Sequence, residues 1–573
     1  MDLSRAITLK DSDELIDTES NFKLCAGPGA GKTRFLINHI NNVITNSRRL
    51  TKVKKIACIT YTNIGVETIV KRLDNAINEV EVTTIHGFLY RHVIKPYLWV
   101  INDEYDIPLA EVDGHDEIIP TYSVLKEWKE ITNQLYIRDD AALKKELMSL
   151  QWIIQPDGDI VLKLKYPSKL RIRNDSLIEY KKICWKKSLI SHDDILFLSY
   201  KILKANQRIL DILRAKFPYI FIDEFQDTSP IQSEILKMIG EKETVIGVIG
   251  DCGQSIFSFQ GADVQKFVEF NINDGKLYKI ENNYRSIEEI INVLNFVRNE
   301  SGFIQASPEK KTGNLPQILI GGFLDAYNEA VKNSGDKHVC TLSYRNDISN
   351  IMKFRYEDYF NSEDINEPLF KDSDNDRGWL ITYTITAIEY CVQNKIKDAI
   401  KYMKKAYRRI ENFSEKEALE NLKRLINSYN QYKQGSIKDF YNNYLFGHYG
   451  VKSKITRGAM NDYYEALGYK RIAVSVRIND DDSLHRTIHK SKGDEFNSVL
   501  LIIPSEGDKF NENKKLEFLL NPSIDKEENR VYYVALSRAI KNLFINIPQL
   551  SENNREKMKK IGFEVIELID GKL

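Results

Sequence analysis

Short, nearly continuous apolar runs recur along the chain, each ending in a polar turn: Phe22 to Cys25, Ile56 to Thr60, Tyr219 to Ile222 and Val245 to Ile249 in the first half. They return late, at Gln317 to Ile320, Val339 to Leu342, Val499 to Ile503 and Leu543 to Ile547. Runs of this length without polar alternation predict strands of parallel sheets covered on both faces, and helical patterns lie between them. The grouping predicts an α/β fold with two parallel-sheet units. Between the groups, roughly 94 to 190 and 356 to 480, apolar residues instead recur every three or four positions, as in IKDAIKYMKKAYRRIENF and EKEALENLKRLINSYN. That period predicts mainly helical insertions. The expected organisation is a first α/β unit over 1–93 and 191–285 with an insertion over 94–190, and a second over 286–355 and 481–573 with an insertion over 356–480.

At 573 residues the chain is too long for one core, and about three to five domains are expected. Lys+Arg and Asp+Glu both total 82, so attraction to nucleic acid would have to be local. The densest basic stretch is 161 to 190, with nine Lys/Arg against two Asp/Glu and with Tyr166, Tyr180 and Trp185 interleaved. It suits either a nucleic-acid backbone surface or a solvated helix face. The six cysteines form no C-x-x-C pair, which argues against a zinc site or a disulfide framework and fits a reducing cytoplasm. No window approaches the ~18 apolar residues of a membrane span, and the N-terminus has acids where a secretory signal would be apolar.

Two segments carry phosphate chemistry. AGPGAGKT (Ala26, Gly27, Pro28, Gly29, Ala30, Gly31, Lys32, Thr33) follows a strand and opens a helix whose Leu36, Ile37, Ile40 and Val43 share a face. This is the P-loop pattern: backbone N–H groups cradle a phosphate, Lys32 reaches the β and γ oxygens, and Thr33 offers its hydroxyl to Mg²⁺. FIDEFQDTSP ends another apolar strand with adjacent carboxylates, Asp223 for Mg²⁺ and Glu224 to orient or deprotonate the attacking water. A third segment, GDCGQSIFSFQGA from Gly250 to Ala262, leaves a buried-looking strand straight into Asp251, Gln254, Phe257 and Phe259.

Taken in order from Ala26 to Ala539, the segments resemble those of superfamily 1 helicases of the UvrD/Rep/PcrA type. CITYTNIGVETIVKRL is similar to that family's first single-strand DNA segment, which implies contacts from Thr60, Tyr61, Thr62 and Asn63. TTIHGF is similar to the next, implying Thr84, His86 and Phe88 along the DNA track. SHDDILFLSYKIL resembles the segment leading into the DEFQD strand. ENNYRS resembles the segment whose tyrosine stacks on adenine and whose arginine meets the γ-phosphate, here Tyr284 and Arg285. HRTIHKSKGDEF implies Thr487 and His489 toward DNA and Gly493 and Glu495 toward nucleotide, and ENRVYYVALSRA puts Arg538 at the arginine-finger position. In the third segment the likeness implies that Gln254 senses the γ-phosphate and that Phe259 stacks on a base. Tyr61, Phe88, Phe257 and Phe259 are thus candidate stacking rings, with a plain core role the alternative for Phe88 and Phe257.

The resemblance implies two RecA-like P-loop NTPase domains, ATP and Mg²⁺ as cofactors, single-stranded and duplex DNA as partners, and 3′ to 5′ movement on single strands. A nucleotide would be clamped by Lys32, Asp223 and Glu224 from one unit and, from the other side, by Arg538 of the second unit and by Arg285, which stands at the boundary between the two spans and is grouped with the second. TIHGFLYRHVIKPY and the compact length also resemble helicase subunits of Gabija-type antiphage systems, which implies an OLD-family TOPRIM endonuclease as partner; DNA repair is the other setting. A regulatory ATPase that senses DNA ends and licenses a nuclease is the alternative function. Three departures stand out: residues 1 to 30 hold no glutamine, where such helicases read adenine, so other nucleoside triphosphates are admissible; Cys252-Gly253 replaces acids; and Gln260 stands where an arginine is usual. No nuclease-like carboxylate cluster follows Ala539, so cutting is expected to come from another protein.

Overall fold

The structure is a computed structural model and describes residues 3–108, 120, 122–271, 275–355, 377–408, 413–476, 483–505 and 510–568. The chain divides into two compact units. The first comprises Met1–Thr312 with Pro522–Tyr533, the second Gly313–Asn521 with Val534–Leu573.

In the first unit, β1 (Ile7–Thr8), β2 (Phe22–Ala26), β3 (Ile56–Thr60), β4 (Val80–Thr84), an antiparallel hairpin of β5 (Leu150–Ile154) and β6 (Ile160–Leu164), β7 (Tyr219–Ile222), β8 (Val245–Gly250) and β9 (Lys276–Ile280) follow in chain order. Seven of these form one sheet in the order β1-β9-β2-β8-β7-β3-β4, parallel throughout. The runs foreseen as strands are its middle, and every residue of β3, β7 and β8 is buried, as expected where helices cover both faces. The sequence pattern did not single out β4 and β9, because VEVTT and KLYKI mix polar and apolar positions nearer the sheet margins. All strands point the same way, so the chain leaves β2, β3, β4, β7 and β8 at one edge of the sheet. Each exit opens into a motif read above, the usual place for a site in an open parallel sheet.

The second unit repeats the plan. β10 (Gln317–Ile320), β11 (Cys340–Ser343), β12 (His485–Thr487), β13 (Phe496–Ile502), β14 (Ala539–Ile547) and β15 (Glu564–Glu567) form a parallel sheet in the order β12-β11-β13-β14-β10-β15. Both units are RecA-like α/β units. The described residues between 377 and 476 are mainly helical; one helix, Glu415–Asn427, starts at a reciprocal cap between Ser414 and Glu417. Part of IKDAIKYMKKAYRRIENF forms the helix Ile396–Ala406, and residues 409–412 lie outside the described residues.

The stretch 94 to 190 departs from a purely helical reading because it contains the β5–β6 hairpin. The sequence held the signal: two β-rich runs flank Gln155-Pro156-Asp157-Gly158, a turn composition. Trp152 of β5 stacks on Phe197 at 3.6 Å between ring centroids, which ties the hairpin to the main core. Asp194, fully buried, accepts hydrogen bonds from the Trp152 and Trp185 ring N–H groups (2.9 and 3.1 Å) and pairs with Lys181 at 2.9 Å. Among the described residues no helix is long and apolar enough to cross a membrane.

Candidate functional site

β2 delivers the chain at Ala26 into the P-loop, and the helix Lys32–Asn46 starts at Gly31 with no side-chain cap. Its first N–H groups therefore have no side-chain partner and suit an anion. Gly29 and Gly31 have φ of 73° and 83°, the left-handed region that favours glycine. Space matters as much: a Cβ on Gly29 would sit 2.3 Å from Asn283 Oδ1, and one on Gly27 2.4 Å from Gln305 Nε2. Lys32 Nζ donates to the carbonyls of Ala26 (3.2 Å) and Gly27 (3.4 Å), so its ammonium lies along the loop.

Two residues that sequence reasoning passed over hold this loop. Gln305 is buried and donates to the Pro28 carbonyl at 2.9 Å. Asn283 Oδ1 accepts from the backbone N–H groups of Arg285 (2.9 Å) and Ser286 (3.1 Å), while Tyr284 N–H donates to the Gly29 carbonyl at 3.0 Å. The ENNYRS segment is thus docked on the P-loop of its own unit. This corrects the assignment of Arg285 to the second unit: the first unit runs on to Thr312, since β9 is one of its strands and feeds directly into the segment.

Asp223 and Glu224 leave β7 beside β3, where Asp223 N–H donates to the Ile59 carbonyl at 2.8 Å. Asp223 is buried. Glu224 has φ 55°, a conformation that costs a non-glycine residue about 1 kcal/mol or more and points to a constrained site. Gln226, fully buried and not assigned a role from sequence, donates to Glu224 Oε2 at 2.5 Å, and its Oε1 accepts from Asp251 N–H at 3.0 Å. Asp251 in turn accepts from Gln254 Nε2 at 2.8 Å, from Gly253 N–H at 3.0 Å and from Arg298 Nη1 at 2.7 Å. Burial opposes the Arg298 charge, but Asp251 and Glu300 outweigh it and hold the guanidinium firmly protonated. The result is a continuous polar chain from Glu224 through Gln226 and Asp251 to Gln254.

The candidate DNA residues divide into exposed and buried sets. Tyr61 stacks on Phe257 at 5.3 Å and 21°, Phe257 lies 5.9 Å from Phe259, and Phe259 is 49% exposed. Tyr61 Oη donates to Gln260 Oε1 at 2.7 Å, and burial raises the phenol pKa. Thr62 caps the helix Asn63–Leu73 through Gly65 N–H, and Thr84 caps Ile85–Leu89 through Gly87 N–H. His86 meets His192 edge to face at 5.4 Å, a neighbour that sequence reasoning had not named. Phe88 is a correction: it has no exposed surface and packs on Phe217 and His92, each at 5.1 Å, so it belongs to the core. Thr60 and Thr487 are also buried and offer little surface to a partner.

In the second unit, His489 lies edge to face with Tyr344 at 5.8 Å, and Tyr344 is half exposed. Gly493 has φ 95°, and beside it Asp494 pairs with Arg486 at 2.7 Å; Glu495 is exposed. Arg538, expected to present its guanidinium to phosphate, donates instead to the carbonyls of Val534 and Asp494 (both 3.1 Å) and to Ser537 Oγ at 2.8 Å.

Parallel RecA-like sheets, a P-loop at one strand end and paired carboxylates at another define the P-loop NTPase class. Residues 10–273 match the model of the UvrD/REP helicase N-terminal domain, and residues 322–549 match the UvrD-like helicase C-terminal domain. The chain belongs to the UvrD/Rep helicase family. It is 28% identical over 326 residues to the ATP-dependent DNA helicase Rep of Buchnera aphidicola subsp. Acyrthosiphon pisum (strain APS), covering 54% of this chain and 48% of that protein. It is 25% identical over 309 residues to the ATP-dependent DNA helicase PcrA of Bacillus subtilis (strain 168), covering 52% and 39%. A probable DNA helicase II homolog of Rickettsia conorii (strain ATCC VR-613 / Malish 7) is 25% identical over 322 residues, covering 52% and 46%. The chain spans about half the length of the curated relatives it matches.

Proposed function

We propose that the protein is an ATP-dependent DNA helicase that translocates 3′ to 5′ on single strands, with hydrolysis coupled to closure of its RecA-like domains. The observation that carries this reading is the segment Asp251 to Ala262. At one end Gln254 is hydrogen-bonded into the carboxylate chain of Glu224, Gln226 and Asp251. A few residues on, Phe257 and Phe259 build the stacked ring surface with Tyr61. A shift of Gln254 by one bond length on phosphate loss would therefore be felt at the rings.

In this reading the P-loop N–H groups from Ala26 to Gly31 and the Lys32 ammonium bind the phosphates. Tyr284 stacks on the base, which needs no glutamine near the N-terminus and leaves the choice of base relaxed. Glu224 accepts a proton from the attacking water, and Gln254 orients that water from its fixed place on Asp251. Arg285 and Arg538 neutralise charge that develops on the phosphoryl group, an effect worth ~10³ or more in rate in related chemistry; Arg538 must first exchange its present carbonyl partners. Gly493 and Glu495 flank the nucleotide. Thr33 and Asp223 would hold Mg²⁺, which when bound neutralises phosphate charge. One hydroxyl and one buried carboxylate are a spare all-oxygen set that suits an ion held mostly by phosphate and water. Thr62, Asn63, Thr84, His86 and His489 border the DNA, and Tyr61, Phe257 and Phe259 stack on its bases.

The deciding experiment is unwinding of a forked duplex by the isolated protein, alongside DNA-stimulated ATP turnover. Strand separation that requires a 3′ tail is expected. Turnover without strand separation would overturn this reading in favour of a DNA-end-sensing ATPase that licenses a nuclease. A cytoplasmic antiphage role beside an OLD-family TOPRIM endonuclease is supported by the likeness of TIHGFLYRHVIKPY, with DNA repair the competing setting. Co-purification of the chain with such a nuclease tests it.

A further inference from the structure

The ring surface at Tyr61, Phe257 and Phe259 raises a question of charge. A single strand that lays successive bases on these rings brings about one phosphate per base past them. Yet Gly250 to Ala262 contains no lysine or arginine. Its flanks are acidic as well: Asp263 follows, and Glu527 accepts a hydrogen bond from Ser258 N–H at 3.1 Å. Gln260, the polar residue beside the rings, is neutral and engaged by Tyr61 at 2.7 Å.

Two buried guanidiniums reach the start of this loop, Arg298 at Asp251 and Arg530 at the Ser255 carbonyl; at its ring end an ammonium arrives from the strand end after β6, some ninety residues away in sequence. Lys165 Nζ donates to the Phe259 carbonyl. The stem lies beside Tyr166, with the ammonium 5.6 Å from the centre of that ring, and Tyr166 is 64% exposed. Among the described residues no carboxylate forms an ion pair with Lys165. Asp193 feels its charge, but burial is the largest influence on that carboxyl and raises its pKa. A carbonyl orients an ammonium without neutralising it, and two of its three N–H donors remain for other acceptors. Lys165 thus brings its ammonium to the backbone of the residue whose ring is most exposed.

We propose that Lys165 is a DNA-backbone contact: it places a cation at the Phe259 end of the ring step and binds the phosphate of the nucleotide stacked there. The inference rests on the DNA-translocating reading above and assigns to the 161–190 stretch a specific contact residue. It also explains how a neutral Gln260 is tolerated, since the charge is supplied from another part of the chain.

The test is the salt dependence of binding to a fluorescent oligothymidylate, measured by anisotropy on the full chain over a series of KCl concentrations. Each phosphate contact on a single strand contributes about 0.7 to the slope of log affinity against log salt. Lys165→Met keeps the apolar stem and removes only the charge, so the slope is expected to become shallower by about 0.7, while Lys165→Arg keeps the original slope. Adding Gln260→Arg to Lys165→Met is expected to restore it. An unchanged slope in Lys165→Met, or no restoration by Gln260→Arg, would overturn the assignment while leaving DNA binding intact. Absence of binding by the unaltered protein would instead remove the DNA reading beneath it.

Discussion

Arg298 Nη1 lies 2.7 Å from Asp251 Oδ1, both side chains are buried, and the other oxygen of the same carboxylate holds Gln254 at 2.8 Å. A guanidinium on the helix Glu288–Arg298 therefore fixes the residue proposed to sense phosphate. Breaking a buried pair from one side leaves an uncompensated charge, so Arg298→Met is expected to cost about 3–5 kcal/mol. Arg298→Met with Asp251→Asn is expected to lose clearly less than the two single changes together. Urea unfolding of all four proteins reads this coupling, and strict additivity would show that the pair is not a unit.

The catalytic assignment separates binding from turnover. Lys32→Ala is expected to lose nucleotide binding and turnover together. Glu224→Gln is expected to keep binding of a fluorescent ATP analogue while turnover falls by about 10²-fold or more, the usual scale for a lost general base. Steady-state ATPase beside equilibrium titration checks both, and full turnover in Glu224→Gln would displace Glu224 from its role.

Phe88 and Phe259 are expected to fail in opposite ways. Phe88 is wholly buried, so Phe88→Ala is expected to cost about 3–5 kcal/mol of stability. Phe259 is half exposed, and Phe259→Ala is expected to leave thermal unfolding nearly unchanged while weakening single-strand affinity by about 1–3 kcal/mol. Melting curves and anisotropy titrations on the two variants distinguish a core ring from a stacking ring.

His39 governs an acid sensitivity. It lies in a cage of Phe22, Phe221 and Phe35 at 4.9, 5.0 and 5.9 Å, and neither ring nitrogen has a hydrogen-bond partner. Burial pushes its pKa down to about 4 from the usual 6.5, with Asp17 opposing weakly. The unfolded chain therefore takes up this proton first as pH falls, so stability is highest above pH 6.5 and declines between 6.5 and about 4. The loss from this group approaches about 3 kcal/mol, at 1.36 kcal/mol for each unit. His39→Leu is expected to flatten that part of the profile, measured by chemical unfolding from neutral pH to pH 5. An equal decline in the variant would place the sensitivity elsewhere.

Much of this protein was legible in one dimension. Apolar runs such as VIGVI and YIFI predict buried parallel strands because a strand covered on both faces has no polar side to show. AGPGAGKT predicts a phosphate loop because glycines are needed wherever backbone must curl and approach closely. The β5–β6 hairpin was legible too, from its turn residues, but lay inside a stretch dominated by helical spacing. Pattern was weakest at β4, β9, β12 and β15, which are short or mixed in polarity, so no local preference separates them from loops.

The amino-acid sequence by itself determined which residue types leave which strands, and with that the fold class, the phosphate loop and the carboxylate pair. Tertiary structure alone decided how these are held: Gln305 against Pro28, Gln226 between Glu224 and Asp251, Arg298 behind Gln254, and Lys165 at Phe259. It also decided that Phe88 is core while Phe259 is surface, although both are phenylalanines in site motifs. The reason is physical. Strand and loop preferences act over a few residues and are written locally, whereas burial and buried polar pairing depend on which distant segments the sheet order brings together.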